Sequence, residues 1–364
     1  LEAAGAEVRP LVRHAAAPLG EQRYAWTARV GSVPPAAVEW ADAVVSLSGA
    51  PLAALPWTKA RRREIMDSRV DATSAIARAV LEATRPPDVW VSASACGFYG
   101  TDPPIAPLAG PANPVPGAAR PAGRPAADAP PPGALRADAA AEGTEARAPA
   151  GALTEDSASG TGFLAGVVRA TEVQAPPRQP PPPAGFLTED SASGTGFLAG
   201  VVRAWEAAAL PAAARTRVVR ARTGLVLGPP EGGGLMAGLV AATRFGMGPK
   251  LGSGAQYWPW ISLRDEVRAL DFALRTESLA GPVNLAGPRL ATADQITGAL
   301  ARAVRRPSWL RLPAPLLTAA MGEAARELIL ASQPVFPQAL ADAGFKFLDP
   351  TAASALAWCL QSHP

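Results

Sequence analysis

The chain has 364 residues, enough for one large or two ordinary domains with a sizeable core. Its formal net charge is only +3 and its basic residues are scattered arginines, not a concentrated face, which argues against a nucleic-acid partner. Two cysteines (Cys96, Cys359) and two histidines (His14, His363) lack the spacing of a zinc site or a disulfide framework, so no metal and a reducing compartment are expected.

In chain order, Leu1 to Gly5 reads as a helix end, with Gly5 suited to a C-cap, and Glu7 to Val12 as a strand. Since the chain opens inside an element, its start is expected upstream. A second strand covers Ala43 to Leu47 and closes at Ser48-Gly49. Apolar residues at helical spacing, among them Ile65, Met66, Val70, Ile76 and Val80, predict a helix over Thr58 to Ala83, stopped by Pro86-Pro87. Asp88 to Ser92 follows as a buried strand. Strand, helix, strand with continuous apolar strands predicts a parallel sheet covered on both faces, a doubly wound α/β fold.

From about Pro103 to Ala152 the residues are mostly Ala, Pro, Gly and Arg. Such a stretch buries too little apolar area to offset roughly 1–2 kcal/mol of backbone ordering per residue, so residues 103–186 are expected to form a disordered insertion. Within it lies half of an exact repeat. LTEDSASGTGFLAGVVRA runs from Leu153 to Ala170 and again from Leu187 to Ala204, 34 residues later. The period matches tetratricopeptide arrays, but two identical copies around a Pro-rich spacer cannot stack as such repeats do. The second copy continues into a helix and is taken as the native one; a single membrane span would need about 18 apolar residues, and no run of that kind stands out. Gly194-Thr-Gly-Phe-Leu-Ala-Gly200 imitates a dinucleotide-binding glycine loop, yet the acidic residues before it are not a strand, so it reads as a helix entered through a polar turn. Further on come a helix (Phe197 to Leu210), a strand (Thr216 to Ala221), helices near Leu235 to Phe245 and over Asp265 to Arg275, and a strand (Pro282 to Leu285). A helix (Ala293 to Val304) and a Pro-punctuated helical tail close the chain.

Several segments carry a resemblance in one consistent order. They are Ala41-Asp-Ala-Val-Val-Ser-Leu-Ser-Gly-Ala-Pro51, Pro56-Trp-Thr-Lys-Ala-Arg-Arg-Arg-Glu-Ile-Met-Asp-Ser-Arg-Val70 and Ser92-Ala-Ser-Ala-Cys-Gly-Phe-Tyr-Gly100. Leu187-Thr-Glu-Asp190, Trp205-Glu-Ala-Ala208, Arg222-Thr-Gly-Leu-Val-Leu-Gly228, Leu251 to Ile261 and the tail from Arg306 follow. Together they resemble the YfcH-like sugar-nucleotide epimerases, an atypical branch of the extended short-chain dehydrogenase/reductases. The resemblance covers nearly everything except about residues 103–186. It implies a Rossmann domain (1–102 and 187–300, with a substrate loop at 250–262) and a small helical C-terminal region (301–360). It also implies a strand and a Thr-Gly-x-x-Gly-x-x-Gly loop ahead of Gly5, so the first βα unit is expected to be missing here.

The resemblance implies a nucleotide cofactor, NADP with NAD as the alternative. Arg13 at a strand end suits a ribose 2′-phosphate, or is simply an exposed strand-end arginine. Leu47, Ser48 and Gly49 stand where the family contacts adenosine, with Ser92, Thr223 and Gly224 on the same set of strand ends. Ser94 matches the serine that bonds substrate in extended reductases, or satisfies local backbone. The Tyr/Lys pair such enzymes use would lie four residues apart ahead of Glu206, where Val202 and Leu198 stand instead, so conventional acid–base catalysis is not expected. Tyr99 is then the nearby phenol, as substrate contact or packing. Gln256, Tyr257 and Trp260 resemble a substrate loop. Ala255, Ser262 and Arg264 replace the Arg, His and Asp expected there, while Asp265 keeps its acid. Arg222 and Asn284 fix a ligand or staple the sheet. The expected function is an NADP(H)-binding oxidoreductase or nucleoside-diphosphate-sugar epimerase without the Tyr/Lys pair. The alternative is a catalytically silent NADP-binding regulator or scaffold. A small-molecule substrate, no nucleic acid, no membrane and room for a homodimer complete the expectation, in a soluble cytoplasmic setting or, alternatively, the plastid stroma.

Overall fold

The computed structural model describes residues 6–12, 24–25, 33, 35–102, 165–168 and 185–361. Strands β1 (Leu11–Val12) and β2 (Tyr24–Ala25) are short; helix α1 (Pro35–Trp40) leads to β3 (Ala43–Ser46), α2 (Lys59–Glu82) and β4 (Val89–Ala95). Then come β5 (Ala165–Val168), α3 (Phe197–Ala209), β6 (Arg217–Thr223), β7 (Leu225–Leu227), α4 (Gly234–Arg244), β8 (Pro249–Leu251) and β9 (Trp260–Ser262). The chain closes with α5 (Leu263–Arg275), β10 (Gly281–Leu285), α6 (Ala293–Ala303), β11 (Leu310–Leu312), α7 (Ala314–Met321), α8 (Glu323–Ala325), α9 (Gln338–Asp342) and α10 (Ala352–Cys359). The main helices fall within two residues of their predicted bounds. At α2 the reason is visible: Thr58 accepts a hydrogen bond from the Arg61 amide and caps the first turn.

Seven strands form one sheet in the order β10-β6-β4-β3-β5-β1-β2. β3, β4, β6 and β10 are mutually parallel. Alternate residues feed opposite faces, as strand periodicity requires. Val44, Trp90 and Val218 pack against Ala72, Ile76 and Val80 of α2 and Ala209 of α3. Val45, Val91, Val219 and Val283 pack against Ala269 and Ala273 of α5 and Leu340 of α9. This is the doubly wound α/β fold. Trp90 is fully buried, and its indole N–H donates to Ser46 Oγ at 3.0 Å, so the ring brings its polar atom in without leaving it unpaired.

A further cluster holds the smaller C-terminal part together: Leu227, Trp258, Trp260, Ile296, Leu300 and Leu356 bring α4, α6, α10 and the short strands into one core. β7 leaves the main sheet at Gly224 to pair with β9, and β8 pairs with β11. Side-chain bonds pin the tail to α5. Arg264 donates twice to Asp349, both at 2.6 Å, and Asp265 accepts from the Leu348 and Asp349 amides. Ser262 caps α5 through the Asp265 amide. The substitutions at 262 and 264 are thus built into this joint.

Two expectations need correcting. Segment 103–186 is expected to stay outside the fold, yet four of its residues, Ala165–Val168, form β5; most of the rest lies outside the described residues. β5 runs antiparallel between β3 and β1, pairing Val44 with Val167 and Leu11 with Ala165. The physical reason is the ladder: β3 and β1 each present a row of N–H and C=O groups to the same slot, and unpaired rows inside a sheet are costly. The same four letters in the second copy, Ala199 to Val202, are helical in α3. Context, not local propensity, decides between them. Secondly, the run Phe197–Ala214 is long and apolar enough to cross a membrane by composition. Its apolar side chains Leu198, Val201, Val202 and Ala209 are buried within the fold, as in a core helix.

Candidate functional site

At the carboxyl ends of β4 and β6 a buried polar network replaces the apolar core. Arg222, in β6, lies with its guanidinium against Glu206 of α3: Nε donates to Oε1 at 2.7 Å and Nη2 to Oε2 at 3.0 Å. Arg220 adds a bond to Glu206 Oε2 at 3.0 Å, and Ser94 Oγ donates to Oε1 at 2.7 Å. The other side of Arg222 reaches the Tyr99 hydroxyl at 3.1 Å, and its Cζ stacks over the Phe98 ring, 3.5 Å from the centroid. The Tyr99 hydrogen is shared between Asn284 Oδ1 (2.7 Å) and the Thr188 carbonyl (2.9 Å). A bidentate pair with every remaining atom bonded is the arrangement in which a buried ion pair is tolerated.

Of the alternatives open for Ser94 and Tyr99, this geometry favours the structural ones. Both are buried and both hydroxyls are committed to protein partners. Burial pushes the Tyr99 phenol well above its ordinary range, against the lowering effect of Arg222, so it is a poor proton donor or acceptor near neutral pH. Arg222 and Asn284 act as staples: Asn284 Nδ2 donates to the Phe336 carbonyl, and its amide donates to Glu189 Oε1 at 2.8 Å. Ahead of Glu206, Val202 and Leu198 are buried against the turn at Gly97.

The cofactor candidates separate into two sets. Leu47, Ser48 and Gly49 follow β3 at its carboxyl end, beside the point where the strand order reverses direction. Open α/β sheets bind ligands at such a switch point, outside the carboxyl ends of the strands. Gly49 is closely approached by a side chain: an added Cβ would lie 3.0 Å from Arg69 Cζ, and the guanidinium would have to shift to admit it. Ser92, Thr223 and Gly224 are used internally. Ser92 is 2% exposed within β4. Thr223 Oγ1 donates to Glu266 Oε1 at 2.8 Å. Gly224 is there for a close backbone approach, since an added Cβ would meet the Pro259 carbonyl oxygen at 2.6 Å. Arg13 lies outside the described residues.

Of the three substrate-loop candidates, two are structural. Gln256 is buried, donating to the Leu251 and Ile329 carbonyls, and Trp260 is a core residue whose indole N–H bonds the Arg289 carbonyl. Tyr257 is half-buried, and its backbone joins the Thr292 and Gln333 segments. Glycine spacing at 194–200 has a structural cause too. Gly196, at φ +111°, starts α3, and the Glu327 carboxylate accepts from the Phe197 and Leu198 amides at 2.8 and 3.3 Å. A protein carboxylate takes the place an anion would have at this helix start, and an added Cβ at 196 would collide with it.

Sequence reasoning missed three acids and one cation. Glu206 is the centre of the network, but its partners are distant in sequence and no local signal marks it. Glu189 and Glu266 are each pushed up to about 7 by burial, and each has an Oε2 without a partner among the described residues. Arg69, inside a helix rich in arginine, reads as one more solvated charge and is in fact buried. Among the described residues no three His, Cys, Asp or Glu side chains are grouped to hold a metal ion.

Comparison with known proteins fits this geometry. Epimerase family protein Mb2239 of Mycobacterium bovis is 33% identical over 358 residues, spanning 98% of this chain and 91% of that protein. The chain belongs to the epimerase family proteins. Another member of the epimerase family, SDR39U1 of Bos taurus, is 26% identical over 86% of this chain and 81% of its own length. Residues 312–359 match the domain of unknown function DUF1731. Human epimerase family protein SDR39U1 (isoform 2), solved with NADPH, shares the fold with a TM-score of 0.66 at 22% identity, over 95% of this chain and 89% of that one. MoeE5, solved with UDP-glucuronic acid and NAD, gives a TM-score of 0.55 at 17% identity over 94% and 86%. The family anticipated from the order of motifs is the one these relatives represent.

Proposed function

We propose that this epimerase family protein binds a nicotinamide dinucleotide, NADP(H) in preference to NAD(H), at the carboxyl edge of β3. The observation that carries this reading is the loop Leu47-Ser48-Gly49, placed at the carboxyl end of β3 where the strand order reverses. The residues fit the group: this loop would hold the adenosine end, and the NADPH bound by the human relative supports the choice of cofactor. When bound, the nicotinamide supplies hydride transfer to or from a carbon bearing oxygen. A small molecule of the nucleoside-diphosphate-sugar class is the substrate proposed, on the strength of MoeE5 and its UDP-glucuronic acid.

The chain's own residues position rather than transfer protons. Glu206 and Arg222 lock α3 against β4 and β6, and Ser94 is drawn into that lock. Where a Tyr/Lys pair would act, Val202 and Leu198 have no proton to give. This specific feature favours a second reading, a catalytically silent NADP-binding regulator. Titration of the purified protein with NADPH, followed by nicotinamide fluorescence, tests the shared core of both; saturable binding is expected. Incubation with a panel of nucleoside-diphosphate sugars then separates them. A change in absorbance of the dinucleotide, or an epimerised product, supports the enzyme. Binding with no turnover on any member supports the regulator, and no dinucleotide binding removes both.

A further inference from the structure

A cleft of about 360 Å³ opens in the C-terminal part between β8, α6 and the chain leading into β11. Lys250, Arg302, Arg306 and Ser308 stand around it, and Gly298 leaves the α6 side of it without a side chain. Strand alternation separates this face from the core: Leu251 turns into the C-terminal cluster, so its neighbour Lys250 faces the other way. The cleft shares no residue with the Leu47-Ser48-Gly49 loop or with the Glu206–Arg222 network.

None of the three cations has a hydrogen-bond or ion-pair partner for its side chain among the described residues. Elsewhere arginines are paired: Arg222 with Glu206, Arg264 with Asp349, Arg268 with Asp265 and Arg275 with Asp271. The one acid at the cleft is Asp294. It stands in the first turn of α6, where the helix dipole favours a negative charge, and its carboxylate lies against Gly254, where an added Cβ would collide with it. Three cations against one carboxylate leave two positive charges in excess. The helix dipole accounts for Arg302 in the last turn of α6, but not for Lys250, which comes from β8. The backbone also departs from the ordinary here. Among the described residues Arg305 is the single non-glycine with a positive φ, +53°. It holds the place after the cap of α6 where glycine is usual, with the Arg305 amide on the Arg302 carbonyl at 3.1 Å and the Arg306 amide on the Ala301 carbonyl at 2.9 Å. This turn folds Arg306 back to the mouth of the cleft.

We propose that this cleft binds the phosphate group of a phosphorylated small molecule, a ligand separate from the dinucleotide. A phosphate monoester carries about −1.5 to −2 charges at neutral pH and presents three acceptor oxygens, which matches the excess positive charge. The two guanidinium groups supply planar forks of donors for those oxygens, and Lys250 adds a point charge. The Ser308 hydroxyl, which reaches the Gly248 carbonyl at 3.3 Å, stands at the rim and can rotate to a phosphate oxygen. The assignment does not depend on the dinucleotide reading given above.

The test titrates the full chain with ethyl phosphate in a calorimeter at constant ionic strength, with malonate as a dianion of different geometry and NADPH as the separate ligand. The variants are Arg302→Gln, Arg306→Gln and Gly298→Leu. Gly298→Leu keeps every charge and fills the cleft, and the helix accepts it because an added Cβ there meets only Arg302 Nη1, at 3.6 Å. The expected result is saturable binding of ethyl phosphate in wild type, weakened about 10-fold by either arginine variant and abolished by Gly298→Leu. NADPH affinity and the ligand-free melting temperature should stay level in all three. Binding should weaken below about pH 6, as the phosphate takes up its second proton. Absence of saturable binding in wild type would overturn the proposal. Full binding in Gly298→Leu would also overturn it, since only a general attraction to basic surface survives that change. Equal affinity for malonate would overturn the phosphate assignment, and a parallel loss of NADPH affinity would overturn the separateness of the two ligands. Failure of wild type to bind NADPH, with ethyl phosphate still bound, would remove the proposed function and leave this assignment standing.

Discussion

Glu266 shows at the level of one side chain how burial sets chemistry. Thr223 bonds one carboxylate oxygen while the other has no partner among the described residues, and burial holds its pKa at about 7, against 4.5 for an ordinary glutamate. A raised folded pKa means the folded state binds the proton more tightly than the unfolded chain. Its contribution is therefore full below about pH 4.5 and is lost as pH rises through about 7. Glu266→Gln, which keeps the Thr223 bond and cannot ionise, should match wild type in denaturant unfolding near pH 4. At pH 8 it should exceed it by on the order of 3 kcal/mol. Equal stability at both pH values would mean that Glu266 is hydrated. Arg222→Leu should act in the opposite direction, costing about 3–5 kcal/mol at neutral pH because Glu206 is left buried without its partner. Chemical denaturation measures this, and a loss below 1 kcal/mol would show that water replaces the guanidinium. The sequence places Ser94 and Tyr99 at a strand end correctly. It does not reveal that their hydroxyls are already taken, because the partners Glu206 and Asn284 lie 112 and 185 residues away.

The helices and parallel strands were legible because their apolar periodicity matches the faces they bury. Residues such as Ile65, Ile76 and Val80 recur at helical spacing and all point into the core. What could not be read locally is the state of the repeated segment, since Ala-Gly-Val-Val is a strand at 165–168 and part of a helix at 199–202. Two proline substitutions examine this directly. Val201→Pro, in the interior of α3, should cost about 3 kcal/mol or more. Val167→Pro should also lower the melting temperature, because it interrupts the β5 ladder between β3 and β1; no change there would show that the sheet stands without β5. Gly196→Ala should destabilise by about 1–3 kcal/mol, through its positive φ and the collision with Glu327, and should leave dinucleotide affinity unchanged. A large loss of affinity would instead make the 194–200 glycines part of a phosphate loop.

For the whole molecule, the order of strands is the ground for the proposed binding edge at β3. β3, β4, β6 and β10 step one way from the centre while β1 and β2 step the other, and the loop Leu47-Ser48-Gly49 stands at that division with Arg69 beneath it. The C-terminal part is fixed to α5 through Arg264, Asp265 and Asp349. The motif order in the sequence was enough to find the family, because motifs survive at turns and caps where backbone geometry constrains them. The sequence could not show which motif residues are free to meet a ligand, since Thr223, Gly224, Gln256 and Trp260 are committed to other groups of the protein. Hydrogen–deuterium exchange of the full chain with and without saturating NADPH decides whether the dinucleotide sits at the β3 edge. Binding there slows exchange in the peptides covering residues 47–51 and the first half of α2. Slowed exchange confined to the 194–200 or 250–262 segments, with the β3 loop unchanged, would contradict it.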